Sequence, residues 1–384
     1  MTQTKKRIAF ISPNMAKAGM QRQLAVLLNN LNKDKFEVFL VLFDDLIEYE
    51  FQDHVKVIVV KKRRGIFDFK FIFGLIYAIF KIKPHIIQSC IARTNRFAMA
   101  LGFIFRFRNI ILSVRCSNEY EEYKVMRLLS RVFKYRYIIA NSNKAKEELI
   151  QYVGAKPNSI KVIYNGIDVE RFKPDHQIDK DILNWRKQNC EVLKQKHFII
   201  LVAARVAEQK NHLSIISALN YLKSIKKLPE DLVFICIGSI AEDSYYKKCS
   251  DLILDYGLSN YVLFEDAVDR IEKYYNISNT ICLPSYCEGF PNVALEGMAC
   301  EKPIIISTGG NSDDLIENGL NGWIFETDNI ELFAKTILEA YESDEDSLRK
   351  IGVENRKKVV NNFSIDKMIY ETQNIYENLL NQYC

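Results

Sequence analysis

Short apolar runs alternate with amphipathic stretches along the whole chain. The runs are continuous rather than alternating, as in RIAFIS (7–12) and FIILVAA (198–204), which is typical of strands covered on both faces. Stretches of helical periodicity lie between them, such as MQRQLAVLLNNL (20–31) and KAKEELIQYVG (144–154). This alternation predicts parallel sheets with right-handed crossovers. The predicted strands are 7–12, 37–43, 55–60, 85–90, 110–115 and 137–142 in the first half, and 198–204, 232–238, 261–265, 280–285 and 303–308 in the second.

A polar, turn-rich segment at 162–196 separates these two sets of strands. The chain has 384 residues, which is longer than one ordinary domain. The pattern therefore predicts two doubly wound domains joined near 166–174, with a crevice between them. Ligands of such sheets bind outside the carboxyl ends of the strands, so we expect the functional side chains in the loops that follow the strands.

The composition is that of a soluble globular protein, with 48% hydrophobic and 26% charged residues. The nine cysteines form no CxxC pair, and the start MTQTKKRIAF contains no small-residue cleavage site. We therefore expect reduced thiols and a cytoplasmic location. The apolar run FIFGLIYAIF (71–80) is about half as long as a membrane span, which needs roughly 20 residues.

Charge is distributed unevenly. Residues 1–170 carry 29 Lys and Arg against 15 Asp and Glu, a net charge of +14, whereas residues 171–384 carry 24 against 33, a net charge of −9. A basic half suits an anionic bilayer surface or nucleic acid, although ordinary solvated lysines are an alternative reading. The two halves are thus expected to face different partners.

The segment SYCEGFPNVALEGMACEKPIIIS (285–307) places two glutamates eight positions apart. The pattern predicts a strand, then a loop that contains Glu288, then a helix with Asn292 as its N-cap and Glu296 about one turn in. Free N–H groups at the helix start and the positive end of its dipole would lie between the carboxylates.

That layout suits a nucleoside diphosphate sugar, because helix amides hold phosphate while carboxylates accept hydrogen bonds from the sugar and ribose hydroxyls. The alternative for Glu296 is that its side chain merely faces solvent.

Three other loops carry candidate phosphate-binding residues. RVAEQKNH (205–212) follows a predicted strand and contains Arg205 and Lys210, two cations suited to a diphosphate. Gly19 lies between the first strand and its helix, where the backbone could approach a phosphate, and Gly309 and Gly310 repeat that arrangement. Each feature alone is weak, since such residues are common in ordinary loops.

The order and spacing of these motifs resemble the retaining glycosyltransferases of family 4. The resemblance is carried by VIYNGIDVERF (162–172), AARVAEQKN (203–211), LPSYCEGFPNVALEGMACEKPIIIS (283–307) and GLNGWIF (319–325). It implies the GT-B fold, in which two Rossmann-like doubly wound parallel-sheet domains face a central cleft. The implied parts are an acceptor-binding domain at 1–172, a nucleotide-sugar-binding domain at 173–361, and a C-terminal helix at 362–384 that packs back toward the first domain.

The same resemblance implies roles for individual residues. Glu288 would contact the donor sugar near its reacting carbon, Glu296 would hold the ribose, and Arg205 and Lys210 would stabilise the departing diphosphate. Glu288, Arg205 and Lys210 are therefore the expected catalytic residues. The expected donor-binding residues are Gly19, Gly238, Val268, Gly289, Phe290, Pro291, Asn292, Val293 and Glu296.

The resemblance also implies a metal-independent enzyme without a cofactor, whose co-substrate is a nucleotide sugar, a UDP-hexose or UDP-N-acetylhexosamine. FDD (43–45) is only a weak imitation of a metal-binding DxD motif. Two regions depart from the family pattern. Ala18 and Gln21 replace a glycine and an acid in the first loop, and Arg115 stands in a region where many members carry a histidine. Arg115 or Ser117 is expected to line the sugar side of the site.

The basic first domain should hold the acceptor. The segment KKRRGIFDFKFIFGLIYAIFKIK (61–83) joins a basic cluster to an aromatic-rich helix, which could rest in a lipid interface or form part of the domain core. We expect a lipid-linked saccharide acceptor of surface polysaccharide assembly (capsule, O-antigen or exopolysaccharide), and an enzyme peripheral to the inner face of the membrane.

Two other functions remain open at this point. One is a GT-B epimerase of nucleotide sugars, against which the EGFPN segment speaks. The other is a non-catalytic protein whose basic surface binds nucleic acid or membrane. Nucleic acid is not an expected partner, because no nucleic-acid-binding module is recognisable.

Overall fold

The computed structural model describes residues 4–62, 68–115, 120–175 and 198–381. The chain divides into two compact units, which we call the first unit (Met1–Gly166 with Ile365–Cys384) and the second unit (Ile167–Ser364). Their limits differ by a few residues from the sequence-based boundaries at 172/173 and 361/362.

The first unit is built on a parallel sheet of seven strands in the order β3-β2-β1-β4-β5-β6-β7. Because β1 lies between β2 and β4, with Ile8 opposite both Val38 and Ile86, the chain reverses its direction of winding between β1 and β4. This is the topological switch point of the sheet, where ligands of such folds bind. The strands are β1 (Lys6–Ser12), β2 (Phe36–Leu42), β3 (Val55–Val59), β4 (Ile86–Ser89), β5 (Ile110–Val114), β6 (Tyr137–Ala140) and β7 (Ile160–Val162).

Helices cover both faces of this sheet. Helices α2 to α5 pack on one face, while α1 and the C-terminal helix α12 pack on the other. Tyr376 of α12 is fully buried, and its hydroxyl donates to Gln88 Oε1 of β4 at 2.6 Å. The helices are α1 (Gly19–Asn30), α2 (Phe69–Ile82), α3 (Ala92–Ile104), α4 (Tyr120–Ser130), α5 (Asn143–Glu148, continued by a π-helical turn Leu149–Val153) and α12 (Ile365–Asn381).

The second unit repeats the design with a six-stranded parallel sheet in the order β10-β9-β8-β11-β12-β13. Its switch point lies between β8 and β11. Helices α6, α7 and α10 pack on one face and α8, α9 and α11 on the other. The strands are β8 (Phe198–Ala203), β9 (Leu232–Ile237), β10 (Val262–Glu265), β11 (Thr280–Leu283), β12 (Ile304–Ser307) and β13 (Gly322–Phe325). The helices are α6 (His212–Ser224), α7 (Asp243–Asp255), α8 (Ile271–Ile277), α9 (Asn292–Ala299), α10 (Ile330–Glu342) and α11 (Glu345–Asn362).

The predicted fold class of two Rossmann-like, doubly wound parallel-sheet domains is confirmed. Each predicted strand is present within two residues of its predicted ends. The pattern missed one edge strand of each sheet, β7 and β13, because runs as short as IKV and GWIF carry no periodic signal. The placement of the two domains about a central cleft stays a prediction.

Helix α2 is the apolar segment that raised the question of a membrane interface. It has 14 residues, and within the described parts of the chain no helix is long and apolar enough to cross a bilayer. One side of α2 packs into the core through Phe71, Leu75 and Ile79, as the core reading predicted. Its other side is exposed, and the lipid-interface interpretation stays a prediction.

Candidate active site

The loops after β8 and β11 meet at the switch point of the second sheet and form an ion pair. Lys210, in a short 3₁₀ turn (Glu208–Lys210), donates from Nζ to Glu288 Oε1 at 2.5 Å. The side chains are only 19% and 14% exposed, so the pair is largely shielded from water. This contact could not be predicted from local sequence, because 78 residues separate the partners.

Hydrogen bonds between the same two loops hold the pair in place. The amide N–H of Tyr286 donates to the carbonyl of Gln209 at 3.0 Å, and Gln209 Nε2 donates to the carbonyl of Cys287 at 2.9 Å. Gln209, which sequence reasoning passed over, therefore fixes the two residues before Glu288. Lys210 and Glu288 meet because the backbones on which they stand are bonded to each other.

The loop after β12 supports Glu288 from another side. The N–H of Glu288 donates to the carbonyl of Gly309 at 3.2 Å, and Ser312 Oγ donates to the carbonyl of Glu288 at 3.0 Å. A Cβ at Gly309 would lie 2.1 Å from the carbonyl oxygen of Tyr286, so only glycine permits this approach. Gly309, considered in the sequence as a phosphate contact, thus has a structural reason to be glycine.

Arg205 follows β8 directly, and its side chain is exposed at the carboxyl end of the sheet. Its backbone is positioned by Gly238, because a Cβ there would lie 2.2 Å from the carbonyl oxygen of Ala204. The N–H of Val206 also donates to the carbonyl of Ser239 at 3.0 Å. Gly238 therefore sets the path of the Arg205 loop.

Glu296 lies inside the second unit and is only 3% exposed, so the alternative that it faces solvent is wrong. The hydroxyl of Tyr275, on α8, donates to Glu296 Oε2 at 2.9 Å. Tyr275 was not predicted, since nothing in the local sequence links it to α9. Helix α9 begins at Asn292 with Pro291 in the N-cap position, so the prediction of Asn292 as N-cap is off by one residue.

The other expected donor-binding residues of the second unit lie in loops at the same end of the sheet. Gly289 and Val293 are half-buried around the start of α9, like Asn292, while Pro291 is buried. Phe290 packs its ring against Phe363 at a centroid distance of 5.4 Å, so only its backbone can border a ligand. Val268 is half-buried in the loop between β10 and α8.

In the first unit, Gly19 is the exposed first residue of α1. Arg115 follows β5, and its Nη1 donates to Asn165 Oδ1 at 3.3 Å, while its carbonyl accepts from Asn141 Nδ2 at 2.9 Å. Arg115 therefore lies at the carboxyl ends of the strands, as expected for a residue near a ligand. Ser117 lies outside the described residues.

His212 is a buried residue beside the ion pair that the sequence did not single out. It is the first residue of α6 and is 1% exposed, and neither ring nitrogen has a hydrogen-bond partner among the described residues. Burial, helped by the charge of Lys210, lowers the pKa of His212 from 6.5 to about 4. The imidazole is therefore neutral at pH 7.

Two observations bear on metal binding. Across residues 4–62, 68–115, 120–175 and 198–381, no group of three or more His, Cys, Asp or Glu side chains is arranged to hold a metal ion. In the weak DxD-like segment, Asp45 forms an ion pair with Lys61. Metal independence stays a prediction.

Both halves of the chain match models of glycosyltransferase families. Residues 18–171 match the family model described as Glycosyltransferase Family 4, and residues 184–359 match the model described as Glycosyl transferases group 1. Over 365 residues the chain is 27% identical to the capsular polysaccharide biosynthesis glycosyltransferase CapM of Staphylococcus aureus, covering 92% of each chain.

Two further proteins are informative. The UDP-Gal:alpha-D-GlcNAc-diphosphoundecaprenol alpha-1,3-galactosyltransferase of Escherichia coli is 28% identical over 241 residues, which are 62% of this chain and 59% of that protein. The crystal structure of HepE from Anabaena in complex with UDP superposes with a TM-score of 0.82 at 21% identity, covering 97% of this chain and 100% of that one. HepE has also been solved with UDP-glucose.

Proposed function

The chain belongs to glycosyltransferase family 4, and from this membership we propose the reaction that it performs. It transfers a hexose or N-acetylhexosamine, with retention of configuration, from a UDP-linked donor to a lipid-linked saccharide in surface polysaccharide biosynthesis. The similarity to CapM supports the polysaccharide context, and the activity for which the Escherichia coli relative is named supports a UDP sugar and a diphosphate-linked lipid acceptor.

The observation that carries the proposal is the Lys210–Glu288 pair at the switch point, with Arg205 on the same loop as Lys210. A carboxylate next to a diphosphate would repel it. Because Lys210 neutralises Glu288, the glutamate can accept hydrogen bonds from sugar hydroxyls without that penalty. The exposed guanidinium of Arg205 then supplies the net positive charge that a diphosphate requires.

In the proposed reaction the bond between the sugar C1 and the UDP phosphate oxygen breaks, while the acceptor oxygen bonds to C1 on the same face. The proton of the acceptor hydroxyl passes to the departing phosphate. Arg205 and Lys210 stabilise the charge that develops on that phosphate, an electrostatic task for cations already in position. Glu288 fixes the sugar ring through its hydroxyls.

The nucleoside end of the donor is assigned to the buried side of the second unit. Glu296 would accept hydrogen bonds from the ribose hydroxyls, and its bond to Tyr275 holds the carboxylate in one orientation. The Val268 loop would border the base. Because Glu296 is 3% exposed, the proposal requires the ribose to approach a buried carboxylate rather than one on an open surface.

The acceptor side is assigned to the first unit at an anionic membrane surface on the inner face of the cell membrane. On α2, Phe73, Tyr77 and Phe80 are each more than 60% exposed and occur at helical spacing, so they form one aromatic face. Lys70 and Lys81, on the same helix, are exposed. Aromatic side chains flanked by lysines suit the boundary between acyl chains and anionic headgroups.

A panel of nucleotide sugars tests the proposal. We expect one UDP sugar to stabilise the protein against heat and to be hydrolysed slowly without acceptor, and to yield a product of retained anomeric configuration with a lipid-diphosphate saccharide. Conversion of the free nucleotide sugar to its epimer, with no release of UDP, would instead identify an epimerase. No response to any nucleotide sugar would contradict the proposal.

A further inference from the structure

A cavity of about 430 Å³ is lined entirely by residues of the first unit. Its lining includes Asn14 after β1, Asp44 after β2 and Thr94 at the start of α3 after β4. It thus lies outside the carboxyl ends of β1, β2 and β4, at the switch point of the first sheet, where doubly wound folds bind ligands. Its volume falls in the range of small-molecule sites.

The cavity is lined by three cations, Lys62, Arg93 and Arg96. Both arginines lie near a single carboxylate: Arg96 Nη2 is 3.3 Å and Arg93 Nε is 3.8 Å from the same oxygen of Glu122. The side chains of Arg93 and Arg96 are 77% and 44% exposed, so they can turn toward a ligand. Three cations with Glu122 and Asp44 leave an excess of positive charge.

Two of the three cations, Lys62 and Arg96, lie over the same aromatic ring. Lys62 Nζ lies 5.7 Å and Arg96 Cζ 5.9 Å from the centre of the Phe97 ring. Gathering like charges around one ring is unfavourable unless an anion accompanies them. A bidentate anion bound between the arginines and Lys62 would relieve this repulsion.

The cavity floor connects it to the exposed aromatic face of α2. Phe97 and Phe43 line the cavity and pack edge to face against Phe71 of α2, with centroid distances of 5.5 and 4.8 Å. On the opposite side of the same helix lie the exposed Phe73, Tyr77 and Phe80. Helix α2 therefore contacts the cavity lining on one side and presents a surface suited to an apolar chain on the other.

We propose that this cavity binds the diphosphate of the lipid-linked acceptor, with Arg93 and Arg96 as its principal ligands and Lys62 as a third charge. The assignment rests on the proposed function, to which it adds the acceptor subsite. A ligand with a diphosphate head and an apolar tail matches the cations in the cavity and the aromatic face beside them. The donor diphosphate is assigned to Arg205 and Lys210 of the second unit, so different residues bind the two anions.

Calorimetric titration with farnesyl diphosphate tests the assignment without relying on turnover. The protein is first saturated with UDP, which blocks the donor site, and farnesol and inorganic pyrophosphate separate the contribution of the tail from that of the head. The variant Arg93→Gln/Arg96→Gln should weaken farnesyl diphosphate binding about thirtyfold, because it removes two charge-assisted contacts. The affinity for UDP should stay unchanged.

The matched control is Arg127→Gln/Arg131→Gln, which removes the same charge from exposed positions in and after α4. Wild-type affinity in this control supports the assignment, whereas an equal loss would mean that general surface charge is responsible and would overturn it. Failure of the wild-type protein to bind farnesyl diphosphate would also overturn it. If UDP itself does not bind, the proposed function fails, and the titration without UDP still decides on the cavity.

Glu122 provides a second, opposite test. In Glu122→Gln the arginines lose their competing carboxylate, so farnesyl diphosphate should bind about two- to fivefold more tightly, the range expected for an exposed ion pair. If Glu122 only stabilised the fold, Glu122→Gln would bind farnesyl diphosphate more weakly or not at all. Unchanged or weaker binding with an intact fold would therefore contradict the assignment.

Discussion

The carboxyl edges of the two sheets differ in how their charges are held. In the second unit, Lys210 and Glu288 are less than 20% exposed and are paired with each other. In the first unit, Arg93 and Arg96 are far more exposed and share one carboxylate. The carboxyl edge of the sheet in the second unit is thus preformed for a ligand of one shape, while that of the first unit is open and basic. The difference fits a fixed nucleotide donor on one side and a large amphiphilic acceptor on the other.

The rigidity of the second edge comes from its backbone. Gly238 and Gly309 allow neighbouring loops to approach to distances that any Cβ would prevent. Hydrogen bonds then join the loops after β8, β11 and β12. The charged side chains stand on loops that cannot move independently, and such preorganisation is what electrostatic stabilisation of a leaving group requires.

The sharpest test of the preformed edge is Glu288→Gln. We expect kcat for sugar transfer to fall about 10²- to 10³-fold, because the neutral amide no longer holds Lys210 in place through an ion pair and accepts weaker hydrogen bonds from the sugar hydroxyls. Glu339→Gln is the control, since Glu339 forms an exposed ion pair with Lys335 in the same unit. Steady-state kinetics decide the matter, and equal rates for the two variants would refute the site assignment.

The openness of the first unit is tested at its aromatic face. The triple variant Phe73→Ser/Tyr77→Ser/Phe80→Ser should lower binding to anionic vesicles about a hundredfold, since each side chain loses apolar burial in the interface. Sedimentation with vesicles at physiological salt measures this. The control Leu254→Ser removes an apolar residue that is 70% exposed in the second unit and should leave binding unchanged. Binding of the triple variant at wild-type strength would mean that the aromatic face does not touch lipid.

The buried surroundings of the second edge should make its unit sensitive to acid. The pKa of His212 is about 4 in the folded protein and 6.5 in the unfolded chain, so the unfolded state binds more protons between these values. The free energy of unfolding should therefore fall by about 2 kcal/mol between pH 7.5 and pH 5 from this group alone.

Urea unfolding followed by the fluorescence of Trp323, in a Trp185→Phe background, measures this loss in the second unit. In His212→Leu most of the dependence should disappear. His85 of the first unit has a pKa lowered mainly by burial, so it contributes in the same direction. A pH dependence of the second unit that is identical in wild type and His212→Leu would contradict this explanation.

The smallest expected effect comes from substituting Gly309, and it distinguishes the positioning of Glu288 from the stability of the second unit. Gly309→Ala should lower kcat about tenfold and destabilise the second unit by roughly 1–3 kcal/mol, because its Cβ displaces the Tyr286 carbonyl. Gly319→Ala has open space around its Cβ but a φ of +77°, so it should cost about 1 kcal/mol and leave kcat unchanged. If both variants lower kcat equally, the close approach at Gly309 does not position Glu288.

Much of the fold could be predicted from the sequence because buried parallel strands leave continuous apolar runs. RIAFIS and FIILVAA each became a central strand for this reason. The edge strands β7 and β13 are three and four residues long and carry no such signal. Their pairing is decided by the neighbouring strands, not by their own composition.

The site was predictable only at the level of loops. Residue spacing located Glu288 in the loop and Glu296 inside the helix, but not their partners. Tyr275 meets Glu296 through the packing of α8 beside α9, and the Lys210–Glu288 contact depends on the sheet order that makes β8 and β11 neighbours. Contacts between residues that are distant in the chain, and that only the order of strands in the sheet brings together, leave no pattern in a single sequence.

Titration of the protein with UDP tests the central claim most directly, namely that the second unit holds the donor diphosphate through Arg205 and Lys210. Calorimetry should show one UDP site in the wild-type protein, an affinity about thirty- to a hundredfold weaker in Arg205→Ala/Lys210→Ala, and wild-type affinity in Arg93→Gln/Arg96→Gln. Equal UDP affinity in the wild type and in Arg205→Ala/Lys210→Ala, or a loss confined to the first-unit variant, would contradict the account.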